Sequence, residues 1–503
     1  MEKEDFLEPR VRQDLTFVQY LYTHNGHATR KQMATDLQVD PRLIADHMAI
    51  LGDQLNNLFP NAPFHLGSPE AEYILDLINL PTLDDVTNML IRDSSAYQIL
   101  IYIFWHNEFT MTALQRALLM SSSTLFRHVT RLNEYLAEFH LVIRNNRLQG
   151  RELDIRHFYY QLFSVVNGHD ARLTNANNPQ IEEFIHDFQE EVTGRLPQNT
   201  RQSIRIYLHV VLQRVSLNHP LNDNTGAFKL SLIQDLPKVQ EMFAIWDRVF
   251  AKNTHIATEF EGIAFFVFSF YARIFPMKSE LYKNLYLGMT QFSTRMRSYT
   301  HAVMDFLASK FDISTMHQEL QLIFFTELTT LALMPGTITN AHQLVYTAMQ
   351  GVYWKPESGQ MKFIHVVISR LQRLSTAFSA PGAEAVLTER LTMTLLLLLR
   401  HTRRQYRIGL LTSHDLPVNY YLRKALNEQM TANFNVVVTN YDSTQSYDII
   451  LTTSMEMADL MGIKNDLPLI QMQDFGTGSD FVVLYWYLDT LVSGYLSTDL
   501  PEP

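Results

Sequence analysis

Arg127 and Arg131 stand four residues apart in "MSSSTLFRHVTRLNEYL" (Met120–Leu136), so one turn of helix puts both on one side. A guanidinium can grip a phosphate, or the O6/N7 edge of guanine, with two hydrogen bonds. Ahead of the pair come Ser121, Ser122, Ser123 and Thr124. Short hydroxyls cap a helix and let its amino end, where the first N–H groups lack partners, approach an anion closely. His128 falls between the two arginines, and Arg144 and Arg147 follow in "LVIRNNRLQGRELDI" (Leu141–Ile155). A smaller set, Arg30, Lys31 and Arg42, lies in "ATRKQMATDLQVDPRLIADHMAILGDQLNN" (residues 28–57). The chemistry on offer is contact with a nucleic-acid duplex. The same residues would also serve as the solvated face of a capped amphipathic helix.

The elements that must position these groups can be read from spacing. Ala28–Leu37 carries Met33, Ala34 and Leu37 at helical intervals; Val39 is a turn residue; Asp40 is an N-cap with Pro41 at the first helical position. Gly26 would cap a preceding helix. Leu43, Ile44, Met48 and Leu51 continue an apolar stripe, so the segment predicts a helix-turn-helix, or else an αα-hairpin inside a core. The pattern recurs. Thr110 caps a helix over Thr110–Met120, and Ser121 or Ser122 caps the next, with Leu125, Val129, Leu132, Leu136 and Phe139 inward and Ser123, Thr124, Arg127, His128 and Arg131 on the opposite face. Two strands around Asn145–Asn146, residues that tolerate positive φ, then form a hairpin. Helix, helix, hairpin is the order of a winged helix, and two tandem copies with an arginine-rich wing favour DNA as the partner.

The chain's bulk properties narrow the classes. It has 503 residues, 46% hydrophobic and 18% charged, which fits three or four packed domains. Cysteine is absent, which excludes disulfides, thiolate zinc sites and cysteine nucleophiles and agrees with a reducing cytoplasm. The start, "MEKEDFLEPRVRQ", has no apolar core and does not read as a secretory signal. "GIAFFVFSFY" (Gly262–Tyr271) and "LTMTLLLLLR" (Leu391–Arg400) fall short of the ~20 residues of a spanning helix and read as buried helices. Net charge is −11, yet it is uneven: residues 1–115 hold seven Lys/Arg and sixteen Asp/Glu, whereas residues 116–158 hold seven arginines and four acids. Residues 170–400 read as all-helical, in two bundles divided near 280–290. After His401 short buried strands alternate with helices, which predicts βα units and a largely parallel sheet. His209 and His365 each precede Val-Val on an apolar face and read as core or interface residues. No phosphate loop, dinucleotide motif, HExxH or GxSxG occurs, and "GTGSD" (Gly476–Asp480) is a lone glycine cluster, so no enzyme, cofactor or metal is implied.

Ser121–Phe163, "SSSTLFRHVTRLNEYLAEFHLVIRNNRLQGRELDIRHFYYQLF", resembles the signature of the Mga helix-turn-helix family, the Mga/AtxA-like virulence regulators of Gram-positive bacteria. The resemblance covers the whole chain in layout and is specific over these residues. It implies a mainly α, multidomain chain: a first helix-turn-helix domain (1–75), a second, Mga-type winged one (76–168), two helical PTS-regulation domains, or PRDs (169–284 and 285–402), and an α/β domain like the sugar-transport EIIB proteins (403–503). It further implies a cytoplasmic, non-enzymatic transcription regulator that binds promoter DNA. The family often dimerises through the carboxy-terminal half and is tuned through histidines by phosphocarrier proteins of the sugar phosphotransferase system. Here the match is uneven. His209 is a candidate acceptor, with Arg205 and Arg214 nearby, although the usual histidine would fall at Tyr207; the later one would fall near Phe268; and His365 is the nearest histidine in the second PRD-like region. The EIIB acceptor cysteine is replaced by Thr412-Ser413-His414, which rules out phosphocysteine chemistry. The alternative is a phosphotransferase-related phosphocarrier, or a scaffold without DNA binding.

Overall fold

The computed structural model describes residues 1, 3–58, 64–67, 72–75, 83–166, 178–221, 237–250, 259–272, 274, 294–333, 358–380, 382–412, 416–454, 458, 463, 467–472, 478–498 and 500. They form two compact units, one within residues 1–276 and one from 277 onward. The expected bundle division at 280–290, and Ser413, His414, Gly476 and Thr477, lie outside the described residues.

The first unit opens with α1 (Pro9–Thr23), β1 (His27–Thr29), α2 (Arg30–Leu37), α3 (Pro41–Leu58), β2 (Phe64–Gly67) and β3 (Glu72–Leu75). The strands form an antiparallel sheet in the order β1-β3-β2, with Ala28 opposite Tyr73. This is a winged helix rather than a bare hairpin of helices. Gly26, at φ 81°, returns its N–H to the Leu21 carbonyl at 2.8 Å and ends α1. Two expectations need correction. Ala28 belongs to β1, and α2 starts at Arg30; a three-residue strand leaves too short an alternation to see beside a helical run. Leu43 faces solvent, because the α3 stripe against the core runs Ile44, Met48, Leu51, Leu55.

A second winged helix follows α4 (Leu83–Asp93). It consists of α5 (Ser95–His106), a bridge at Glu108, α6 (Met111–Leu118), α7 (Ser122–Leu136), β4 (Val142–Arg144) and β5 (Arg147–Gln149). The two copies pair off residue by residue at one constant offset. Thr29 and Thr110 cap α2 and α6. Met33 and Leu114 are buried beneath them. Gln38 and Leu119 hold the left-handed turn residue, at φ 55° and 53°. Asp40 accepts from the Arg42 N–H at 2.8 Å where Ser121 accepts from the Thr124 N–H at 3.2 Å. Ile44, Leu51 and Leu55 match Leu125, Leu132 and Leu136 in the core.

The rest of this unit is helical: α8 (Glu152–Val165), α9 (Pro179–Phe188), α10 (Gln198–Ser216), α11 (Pro237–Phe250) and α12 (Glu259–Tyr271). Phe184, Phe188, Trp246, Phe250 and Phe265 pack ring against ring at its centre. A buried ionic network ties α8 to α10 and α12. Arg156, fully buried, pairs with Glu261 and with Glu152, and Arg214 holds Glu152 with two bonds of 2.9 and 2.8 Å.

The second unit contains α13 (Thr294–Lys310), α14 (His317–Leu333), α15 (Ser358–Leu374), α16 (Ala383–Leu398), β6 (Tyr406–Leu411), α17 (Leu416–Thr431), β7 (Val436–Asn440), β8 (Ile449–Thr452), β9 (Leu469–Gln471) and α18 (Gly478–Ser497). The sheet is parallel, in the order β7-β6-β8-β9. One apolar cluster runs from Tyr299 on α13 through Leu395 on α16 to Ile408 on β6 and Leu496 on α18. The boundary expected at 402 therefore falls inside a continuous core. Gly359 lies so close to α18 that a Cβ there would stand 2.2 Å from the Ser493 carbonyl oxygen. Among the described residues no helix is long and apolar enough to cross a membrane.

Candidate nucleic-acid interface

α7 starts where Ser121 caps it. The Ser121 hydroxyl accepts from the Thr124 N–H and also contacts the Ser123 and Thr124 hydroxyls at 3.1 and 2.8 Å. Leu125, Leu132 and Leu136 anchor the helix. Ser122, Ser123 and Arg127 are exposed. Among the described residues Arg127 has no hydrogen-bond or ion-pair partner, and the same holds for the exposed Arg116 side chain.

His128 and Arg131 do not share that face, and Thr124 is partly buried. The helix turns His128, Arg131 and Tyr135 toward the segment before α1. Arg131 donates to Tyr135 Oη at 3.2 Å and to the Leu7 carbonyl at 3.4 Å, and lies over the Tyr135 ring. Asp5, Phe6, Glu8, Ala96, His128, Arg131, Leu132 and Tyr135 line an open depression here. Burial lowers the His128 pKa, Glu8 opposes that, and Arg127 and Arg131 add to it. The i,i+4 spacing places two side chains within one turn of each other. It does not say that both lie clear of neighbouring elements.

The wing presents the next two cations. β4 and β5 pair Ile143 with Leu148 and Arg144 with Arg147. Asn145 and Asn146 turn the hairpin at φ 51° and 61°, both positive as a tight two-residue turn demands. Arg144 and Arg147 are exposed at the tip, Arg147 at 3.6 Å from Glu108. Asn133 of α7 holds the wing: its amide donates to the Ile143 carbonyl at 3.1 Å and accepts from the Ile143 N–H at 2.7 Å. Of the seven arginines in residues 116–158, Arg151 is paired with Asp154 through two bonds of 2.7 Å, and Arg156 lies in the buried network. The outward cations are Arg116, Arg127, Arg144 and Arg147.

In the first copy Lys31 and Arg42 are exposed and Arg30 is partly buried. The outer face of α3 also carries Leu43, Asp46, Ile50 and Asp53. Asp46 occupies the position matching Arg127, so the two helices present opposite charge at one place.

The histidine candidates are dispersed. His209 is half-buried on α10. Both arginines beside it are engaged: Arg205 holds Glu182 through bonds of 2.5 and 2.8 Å, and Arg214 holds Glu152. Neither is available to take up a phosphoryl charge without breaking an existing pair. Tyr207 and Phe268, the positions where the family pattern would place histidines, are both buried and stack on each other with centroids 3.9 Å apart. His365 is not a core residue. Its ring is exposed on α15, 3.7 Å from Glu384.

Spacing alone did not single out Phe126, 68% exposed on α7, or the wing-holding Asn133. The signal for Phe126 was available, since it lies off the Leu125–Leu132–Leu136 stripe.

Residues 81–163 match the family model of the Mga helix-turn-helix domain. The chain carries a Mga helix-turn-helix domain. The match begins two residues before α4 and ends within α8, so the Mga domain takes in the whole second winged helix and the helix that fastens it to the bundle. A protein of Streptococcus pneumoniae serotype 4, provisionally named a trans-acting regulator, is 19% identical over 282 residues, 55% of this chain and 56% of its own length. The chain thus spans about half the length of that relative.

Proposed function

We propose that this chain is a DNA-binding transcription regulator of the Mga type, contacting promoter DNA through the outer face of α7 and the β4–β5 wing. The observation that carries the reading is the set of exposed groups on the Mga domain: the capped amino end of α7, Arg127 beyond it, and Arg144 and Arg147 at the wing tip. A helix amino end and a basic hairpin suit a groove and its flanking phosphates. The provisional name of the pneumococcal relative points the same way. The reading carries a cytoplasmic location with it. The test is a gel-shift titration of the full chain against the promoter region beside its own gene. Affinity should fall steeply with salt, as counterion release requires, and Arg127→Ala with Arg144→Ala should weaken it more than tenfold. Unchanged binding by a folded double variant would remove this face from the interface.

The finer parts of the proposal concern assembly and control. The parallel sheet in the order β7-β6-β8-β9 is compatible with an EIIB-like domain, and with no cysteine in the chain we assign it to docking rather than phosphoryl transfer. We propose a homodimer through α18. Val482, Val483 and Trp486 are exposed there at 62%, 53% and 68%, and a Cβ on Gly494 would meet nothing within 4 Å. Trp486 and Gly494 lie equidistant from Thr490, so a two-fold axis there sets each tryptophan on the partner's glycine, as a self-complementary interface requires. For phosphotransferase control, the exposed ring of His365 is the more accessible acceptor than His209. Incubation with the general phosphotransferase proteins and phosphoenolpyruvate, followed by mapping of acid-labile phosphate, tests this. Label that survives His365→Ala would exclude that residue.

A further inference from the structure

We propose that Phe126 reads thymine: its ring lies against the 5-methyl group of a thymine in the major groove, next to the base addressed by Arg127. The inference rests on the DNA reading above and extends it to sequence preference. A phenyl ring left 68% exposed on the outer face of a helix buries little of its apolar surface in its own fold, and no aromatic neighbour is stacked on it among the described residues. Its place is specific. Ser123, Phe126 and Thr130 follow one another at i, i+3 and i+7, all exposed, with Arg127 beside them.

The hydroxyls around the ring are already engaged. Thr130 Oγ1 donates to the Phe126 carbonyl at 3.0 Å, and Ser123 contacts the Ser121 cap. The centre of the face is therefore apolar and its flank carries a guanidinium. The same domain also exposes Arg116, Arg144 and Arg147, cations that fit a polyanionic occupant. On a duplex the apolar group that a major-groove helix meets is the thymine methyl, while guanine presents the paired acceptors that suit Arg127. An apolar ring and an arginine at adjacent positions thus match two neighbouring base pairs of different kind.

The test begins with the full chain and a pool of duplexes with a randomised core, from which bound sequences are enriched. Each thymine of the enriched site is then replaced singly by uracil, which removes only the methyl group. For the wild-type chain, at least one uracil should weaken binding about fourfold, the loss of one buried methyl-sized contact. In Phe126→Ala the same replacement should have no effect. Phe126→Leu, which keeps an apolar side chain, should retain part of the discrimination. Because Phe126 is exposed, neither variant opens a cavity, and salt-dependent binding to bulk duplex reports that the domain is intact. Uracil without effect at every position, or equal losses in wild type and Phe126→Ala, overturns the assignment while leaving DNA binding standing. A pool in which nothing enriches, with no salt-dependent binding, overturns the DNA reading itself and the thymine contact with it. A folded Phe126→Ala that instead loses a co-purifying protein while keeping the uracil response also overturns it.

Discussion

Replacing Arg127 by alanine should weaken duplex binding by roughly tenfold, within the 1–3 kcal/mol of a specific base contact, while the melting temperature stays unchanged. Arg131→Ala should do the reverse. Its guanidinium is held by Tyr135 and the Leu7 carbonyl, so its loss should lower thermal stability, by about 1 kcal/mol, more than it lowers DNA affinity. Melting curves and titrations on both variants decide the matter, and equal effects would dissolve the distinction. His128 adds a pH dependence. Burial, the first cause, lowers its pKa from 6.5, and His219 and His401 are lowered in the same way. A histidine with a folded pKa below its unfolded value takes up a proton more readily in the unfolded chain. Stability is then full above about pH 6.5 and falls as pH drops through the window beneath it. Denaturant midpoints measured from pH 7.5 to 5 should decline, and His128→Gln should flatten part of the decline.

At the scale of elements, close contacts make the sharpest expectations. Gly359→Ala forces a Cβ against the backbone of α18 and disturbs the contact where the Gly359 N–H meets Ser493 Oγ at 3.0 Å and Gln360 meets Asp489 at 2.7 Å. Overpacking of this kind costs about 1–3 kcal/mol, to be read as a lower urea midpoint, and a variant as stable as the parent would show that the helices part easily. Asn133→Ala removes both bonds that hold β4, so the wing should lose hydrogen-exchange protection and duplex affinity should drop with it. What the sequence conveys about these elements depends on range. The Asn145–Asn146 turn, the Thr110 and Ser121 caps and the α7 stripe are local, and each is legible from adjacent residues. β1 is not, because its pairing partner Glu72–Leu75 lies more than forty residues away and its three residues precede a helical run. The orientation of His128 and Arg131 is illegible for the same reason: the segment that covers them, Asp5–Glu8, is more than a hundred residues distant.

At the scale of the whole molecule the question is what holds the parts together. Arg156 and Glu261 are fully buried, and burial disfavours the Arg156 charge until Glu261 and Glu152 more than offset it, which leaves its pKa raised. Glu261→Gln should destabilise the first unit by about 3–5 kcal/mol, since it leaves a buried cation short of its counter-charge; calorimetry that shows less than 1 kcal/mol would mean that water reaches the pair. Trp486→Asp should convert the proposed dimer to a monomer in sedimentation, with the fold retained. Deleting everything after His401 would not isolate the dimer contact, because it also removes 16 of the 40 buried residues of a shared core.

That shared core also bears on how the chain is made. α13 to α16 leave the ribosome first, yet Tyr299, Leu307, Phe363 and Leu395 wait for partners on β6, β8 and, last among the described elements, α18. At about 5–20 residues per second, the stretch of roughly 100 residues between α16 and the end of α18 takes some 5–20 s to synthesise. Throughout that interval an apolar helical surface stands uncovered in a crowded cell. Nascent second units should therefore engage chaperones until α18 emerges, and a premature stop between Leu398 and the start of α18 should yield aggregate rather than a shortened working protein. The rate of synthesis then sets how long that apolar surface waits for its partners.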